Sequence, residues 1–555
     1  MKEQGLYKGS AILMASMIIT KIIGAVFKIP LTNILGGTGM GYFNSAYGLF
    51  LPIYTAVSSG LPTALVRLVA ENAAKGRYRD VRKLRRISAS VFALLGVLAT
   101  AVMLLLSKPF SVYIAQNPNC LCAVICLAPS MVFCCLACVE RGYYEGMRNM
   151  YPTAVSQIAE GIVKTALGLS FALLVLKVGL NQYETVRTVF GIPAATYDEA
   201  TAAALPFSVG GAMAGITLSE AAGFLVIFIR NRIFGDGISA EQLQRSPVPH
   251  SSAHLCKQLF TIAAPIALGG IIISLSSFID LSTIIGGLKS AIASSPDYFL
   301  SRYSFALDGS LGLSELPNFI YGSYTGMTST IISFVPMAAS MLGKTALPNI
   351  ACIKESCDKA AIKRSVENVI HISLVLSAPM GFGIFALARP ILRLLYPMRP
   401  DEVQIAALPL AVLGLAAVLG AVSIPLTSIL HAVGEEKLTV RLALLEAAMR
   451  LAGNILLIRI PQLNIMGAVI SGMFSYAVTD IIAVCQLKRK VRVNLRFRRI
   501  FALPVFCSVC CGASAAASCK ILAGFLPQAA ATPLAVIIAA VFYFLVLKIT
   551  KTVRI

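Results

Sequence analysis

Apolar runs of about 20 residues recur from one end of this 555-residue chain to the other. Each is long enough to cross ~30 Å of hydrocarbon as a helix. In lipid no water is present to satisfy backbone N–H and C=O groups, so such runs must be helices or close into a barrel. Runs this long, without strict alternation, choose helices. The composition agrees: 57% hydrophobic, 13% charged, mean hydropathy +0.80, outside the range of soluble domains. The pattern predicts an all-α polytopic membrane protein with about fourteen transmembrane helices, the first over 9–34 and the last over 530–549. No polar stretch is long enough for a soluble catalytic domain. The first apolar run, Ala11 to Ile34, exceeds a signal-peptide core and lacks a small-residue cleavage site, so it is expected to stay as a span.

The net charge of +22 sits mostly in short connections. After helix 2 come Lys75, Arg77, Arg79, Arg82, Lys83, Arg85 and Arg86, and after helix 12 come Lys488, Arg489, Lys490, Arg492, Arg496, Arg498 and Arg499. The connection after helix 1, "LGGTGMG", has no basic residue, while "LARPILRLLYPMRPDE" after helix 9 runs against the trend. The bias of Lys and Arg places even-numbered connections, and hence both termini, in the cytoplasm. It also suits contact with anionic membrane lipids. No nucleic-acid motif accompanies the charge, so no nucleic-acid partner is expected. The 14 cysteines lie mostly inside apolar runs, and with only four histidines no metal site is expected.

An internal repeat divides the chain. Helix 2 ends "LPTALVRLVAENAAKG" and helix 8 ends "LPNIACIKESCDKAAI", with Pro62 and Pro348 offset by 286. Helix 5 carries Glu160 and Lys164, and helix 11 carries Glu446 and Arg450, again offset by 286. Helix 6 has Glu220 and helix 12 has Asp480, offset by 260 because of a longer connection at about 180–202. Helices 1–6 (residues 1–232) and 7–12 (258–490) form two lobes, joined by a cytoplasmic linker at 233–257. Helices 13 and 14 and a tail occupy 491–555. Each lobe has an even number of spans, so the repeat is parallel, and a cargo is expected in a cavity between lobes.

Charges inside the spans point to that cargo. A charge at the bilayer centre costs about 2.5–3.5 kcal/mol on insertion scales, so it marks function by default. Helix 1 carries Lys21 and Lys28 in "ASMIITKIIGAVFKIPL". Seven residues apart, they return to within about 20° of one helix face, about 10 Å apart. A one-faced cationic column suits a wet cavity that binds an anion such as pyrophosphate. Lys344 in helix 8 and Arg67 near the inner end of helix 2 are the further cationic candidates. Glu220 and Asp280 are candidates for Na⁺ or H⁺ coupling. Glu160/Lys164 and Glu446/Arg450 have the favourable i,i+4 order and read as structural or gating pairs.

The motifs also carry a family likeness. "TKIIGAVFKIP" in helix 1, "GLPTALVRLVAE" ending helix 2, "YYEGMRNMYPTAVSQIAEGIVK" into helix 5, "GITLSEAAG" in helix 6, "APIALGG" in helix 7 and "LPNIACIKES" after helix 8 are the matching stretches. On these the chain resembles the multidrug/oligosaccharidyl-lipid/polysaccharide (MOP) exporter superfamily. Within it, the chain resembles the stage V sporulation protein B and polysaccharide-transporter group, relatives of the lipid II flippases. The resemblance implies alternating access and a lipid-linked saccharide (a cell-wall, spore-cortex or polysaccharide precursor on undecaprenyl pyrophosphate) flipped across a bacterial cytoplasmic membrane. It implies no cofactor and no enzymatic activity, and contact with cell-wall or polysaccharide synthesis enzymes. The chain departs from the flippase pattern of cavity arginines. Lys21 stands for the first, Phe27 followed by Lys28 for the second, and Tyr54 and Ser329 where helix 2 and helix 8 would carry others. The alternatives are a cation-coupled multidrug antiporter, which would favour carboxylates over amines in its cavity, and a polyprenyl-linked glycosyltransferase or ligase. The outer loops at about 180–202 and 288–316 lack the catalytic spacing that an enzyme would need.

Overall fold

The computed structural model describes residues 6–307, 311–337, 339, 359–433, 435–491 and 498–550. Lys344 and Pro348 lie outside the described residues. The chain forms two compact units, Met1–Ser282 and Thr283–Ile555, whose boundary falls within one long helix.

In the first unit, α1 (Leu6–Ser58) runs through the expected first connection and into helix 2, kinking at Gly36, whose φ of 64° lies in the left-handed region. That conformation is open to glycine at little cost, so "LGG" bends the helix where a loop was expected. Then follow α2 (Gly60–Ala74), α3 (Tyr78–Pro109), α4 (Leu121–Leu127), α5 (Ser130–Gly146) and α6 (Tyr151–Val186). A two-residue hairpin, β1 (Thr188–Val189) on β2 (Ile192–Pro193), caps α6. Its turn puts Phe190 at φ 47° and Gly191 at φ 88°, the tight-hairpin geometry that matches strand twist. Next come α7 (Tyr197–Phe234), α8 (Ala240–Gln244) and α9 (Ser252–Ser294).

The second unit continues with α10 (Pro296–Arg302), α11 (Ser304–Leu307), α12 (Leu316–Ile332), α13 (Lys359–Leu395), α14 (Pro400–Val433), α15 (Glu436–Leu457), α16 (Ile465–Val491), α17 (Leu503–Leu522) and α18 (Gln528–Ile549). Eleven helical stretches among the described residues are long and apolar enough to cross a membrane. The first of these, Ile12–Ala74, is long enough for two spans. With α12 and the more charged α15, the expected fourteen are reached.

Lipid tails are as apolar as leucine, so burial of apolar surface does little to pull helices together inside a membrane; close packing does. A Cβ on Gly215 of α7 would come within 2.6 Å of the Gly168 Cα on α6. In the second unit, a Cβ on Gly381 of α13 would come within 2.5 Å of the Gly414 carbonyl oxygen on α14. Glycine pairs thus permit close helix crossings in both units.

The first basic stretch is largely consumed by structure. The Arg79 backbone N–H donates to Ser246 Oγ at 3.1 Å and its guanidinium to the Leu243 carbonyl at 3.0 Å. Arg82 pairs with Asp236. Asp80 accepts from the His250 backbone N–H at 2.8 Å. These contacts fasten the segment between α7 and α9 to the start of α3. Partial burial works against the Asp236 carboxylate, but the Arg82 guanidinium and the Ile238 N–H outweigh it and hold the group below its ordinary range.

Candidate functional site

The first unit holds a buried charged network on α5, α6 and α7. Glu160 and Lys164 lie one turn apart on α6, yet they do not form the expected ion pair. Glu160 instead accepts from the Arg141 guanidinium of α5 at 2.7 Å. Arg141 is held on that side by Ser156 Oγ at 2.9 Å, and Ser156 in turn donates to the Gly223 carbonyl of α7 at 2.7 Å. The reason is geometric. Arginine's planar fork can serve a carboxylate and a hydroxyl together, and a neighbouring helix presents it more squarely than the helix's own next turn. Gly223 gives this pair its room, since a Cβ at that position would lie 3.1 Å from Glu160 Cβ and 3.2 Å from the Arg141 guanidinium. Glu220 on α7 shares the network: it takes a hydrogen bond from the Cys134 thiol and lies within electrostatic reach of Glu160, Arg141 and Lys164.

Lys164, released from Glu160, turns to α1. Its ammonium bonds the Tyr47 hydroxyl at 3.3 Å and lies 5.4 Å from the centre of the Phe27 ring. Phe27 is buried and rests against Gly168, where a Cβ would come within 2.7 Å of its ring. The residue after Phe27 is Lys28, and its charge and that of Lys164 are close enough to repel one another. Two lysines from α1 and α6 therefore converge on one region, edged by Phe27 and Tyr47. Aromatic faces steady the Lys164 ammonium without neutralising it.

The second unit carries the repeat-related groups. Asp480 of α16 accepts from Ser423 Oγ of α14 at 2.5 Å, and Glu446 of α15 is its electrostatic neighbour. The other Asp480 carboxylate oxygen is buried without a hydrogen-bond partner. Arg450 packs its guanidinium over Gly472, where a Cβ would lie 3.5 Å away. The repeat thus brings one carboxylate from each of two successive helices together in both units, Glu160 with Glu220 and Glu446 with Asp480.

The other candidates are placed differently. Lys21 is exposed, among the exposed apolar side chains Ile18, Ile22 and Val26. Arg67 is exposed and paired with Glu71 one turn on, at 2.8 Å, an arrangement worth little on a surface. Asp280 is half-buried on α9 between buried Ile279 and Leu281. Arg141, which no charge spacing along the chain singles out, is the hub of the network. Its only signal was a charge at the end of the apolar run "MVFCCLACVERG".

This is the architecture of a polytopic transporter with charge buried inside a lobe. The family model described as "Polysaccharide biosynthesis protein" matches residues 6–354, so the chain belongs to that family. Residues 329–545 match the model described as "Lipid II flippase MurJ". Stage V sporulation protein B of Bacillus subtilis is 20% identical over 512 residues, covering 92% of this chain and 89% of that protein. Lipid II flippase MurJ of the same organism is 23% identical over 494 residues, covering 87% and 82%. Among solved structures, an inward closed conformation of lipid II flippase MurJ superposes with TM-score 0.64 at 12% identity, covering 97% of this chain and 98% of that one. An inward-facing multidrug resistance transporter of the MATE family superposes with TM-score 0.60 at 14% identity, covering 84% and 96%. At such identities the superpositions speak for the fold. Together the matches place the chain in the flippase group of the MOP exporter superfamily, as a multi-pass transporter and not an enzyme.

Proposed function

We propose that the chain flips an undecaprenyl-pyrophosphate-linked saccharide from the inner to the outer leaflet by alternating access. Lys28 and Lys164 take the pyrophosphate, while the lipid tail stays in the bilayer. The observation that carries this reading is the convergence of two lysines, from α1 and α6, with Lys164 held by aromatic faces and a phenol rather than by its neighbouring carboxylate. Two adjacent ammonium groups repel each other, and a multiply charged phosphate relieves that repulsion. Lysine suits a moving cargo because it acts as a point charge and not as a rigid fork. The relatives named for lipid II and for sporulation support a cell-wall or spore-cortex precursor as the saccharide. A Na⁺ or proton gradient acting through the buried carboxylates would supply the drive. The positive-inside bias supports cytoplasmic termini in a bacterial plasma membrane.

The test is flipping of a fluorescent undecaprenyl-pyrophosphate-linked disaccharide in proteoliposomes, with folding checked for each variant. Wild type is expected to flip it. Lys28→Gln and Lys164→Gln should each slow flipping about tenfold or more, since loss of one member of a buried charge pair costs ~2 kcal/mol or more. Arg67→Gln should leave it near wild type. A wild-type protein inert towards this lipid, but moving an organic cation against a Na⁺ or proton gradient, would replace the reading with a multidrug antiporter.

A further inference from the structure

Lys164 stands between two demands for its charge. On one side is Lys28, where the reading above places the anion. On the other is the carboxylate pair of Glu160 and Glu220, both within its electrostatic reach. Arg141 is committed to Glu160 at 2.7 Å and to Ser156 at 2.9 Å. Glu220 has no such arginine. The groups around it are Cys134, Cys138 and Arg141 from α5, Glu160 and Lys164 from α6, and Tyr54 from α1. Of these, Arg141 and Lys164 are the cations, and Arg141 is already engaged. Glu220 therefore depends on Lys164, which it does not touch: the lysine's hydrogen bond goes to Tyr47.

We propose that anion binding at Lys28 and Lys164 is linked to uptake of one proton by the Glu160–Glu220 pair, with Lys164 as the shared counter-charge. A phosphate drawn to Lys28 and Lys164 claims the ammonium and adds negative charge beside two carboxylates. Both changes favour the neutral form of the carboxylate with the weaker cationic support, which is Glu220. The proton comes from bulk water, and Glu220 passes from carboxylate to carboxylic acid with no other bond changed. Linkage is reciprocal: if the anion promotes protonation, protonation tightens the anion by the same factor. The bound proton offsets one negative charge of the loaded site within the membrane; moving outward with the cargo it runs against an inward proton gradient, so this linkage neutralises the cargo and does not itself supply the drive. This rests on the assignment of Lys28 and Lys164 as the anion site.

The experiment is calorimetric titration of the purified full-length protein in detergent with inorganic pyrophosphate, in two buffers of different ionisation enthalpy at the same pH. The buffer dependence of the heat gives protons taken up per anion bound. Glu220→Gln should still bind pyrophosphate but take up about one proton fewer than wild type, a difference in which the probe's own titration cancels. Lys164→Gln should weaken binding about tenfold or more and lose the linkage, and Lys164→Arg should recover the linkage. Sulfate, whose charge is constant near neutral pH, provides a second measurement on wild type alone should Glu220→Gln fail to fold. Binding with no proton uptake in wild type, or equal uptake in wild type and Glu220→Gln, overturns the linkage while leaving the anion site standing. Absence of binding by either probe overturns the site and the linkage together.

Discussion

The two units hold related buried charges under different terms. In each, two successive helices of the repeat bring carboxylates near one another, Glu160 with Glu220 and Glu446 with Asp480. In the first unit Arg141 meets one of them at 2.7 Å. In the second, the residue 286 positions beyond Arg141 is Thr427, whose hydroxyl bonds its own helix at the Ile424 carbonyl, 2.8 Å away. The first unit therefore sets three cations, Lys28, Arg141 and Lys164, against two carboxylates. Among the described residues, the second sets Arg450 against two. Duplication kept the carboxylates and let the cations diverge. Among the described residues of these networks, the excess of positive charge lies in the unit proposed to hold the anion.

The sharpest way to break that comparison is to remove the first unit's surplus charge. Lys164→Gln is expected to abolish most lipid flipping in proteoliposomes, with Arg450→Gln as the matched change in the second unit. Equal losses would mean that both units bind the anion. The next effect is on stability. Arg141→Met strips a buried carboxylate and Ser156 of their partner and should cost about 3–5 kcal/mol, read as a fall in the thermal midpoint in detergent. Thr427→Val at the matched position should cost under about 1 kcal/mol.

A smaller effect tests the aromatic wall. Gly168→Ala forces Phe27 away from its place beside Lys164, because the new Cβ would sit 2.7 Å from the ring. Anion binding measured by titration should weaken a few-fold. Gly420→Ala in the second unit meets the Tyr476 ring at 3.7 Å, an ordinary contact, and should change nothing measurable. The smallest effect concerns the segment between α7 and α9. Because Asp236 is held below its ordinary range in the folded protein, its contribution to stability is complete above the unfolded carboxylate value of about 4. It is lost as pH falls through the lower folded value. Asp236→Asn should lower the thermal midpoint slightly at pH 7, with the gap from wild type closing in acid.

Several of these features could be read along the chain. Apolar length alone marks the spans, because lipid thickness fixes how long a helix must be, and the break expected after helix 1 proved to be a kink only because glycine can enter the left-handed region. The repeat could be read from Glu160, Lys164 and Glu220 recurring as Glu446, Arg450 and Asp480, and the structure brings the carboxylates together in both units. The pairing could not. Glu160 and Lys164 have the spacing of a helical ion pair, but spacing says only which groups can reach each other. Arg141, nineteen residues before Glu160, reaches it from the adjacent helix, and the hydroxyl of Ser156 anchors it there.

Lys21 and Lys28 show the same limit. Periodicity puts them on one helix face, yet one is exposed while the other lies within electrostatic reach of Lys164 of α6. Local order in this protein, helices and their lengths, follows from covalent neighbours and the solvent they must cross, and these are written along the chain. The partner of each buried charge follows from competition among groups that only packing brings within a few ångströms. Electrostatic energy falls with distance and rises as water is excluded, so which charges pair was decided by the tertiary structure alone.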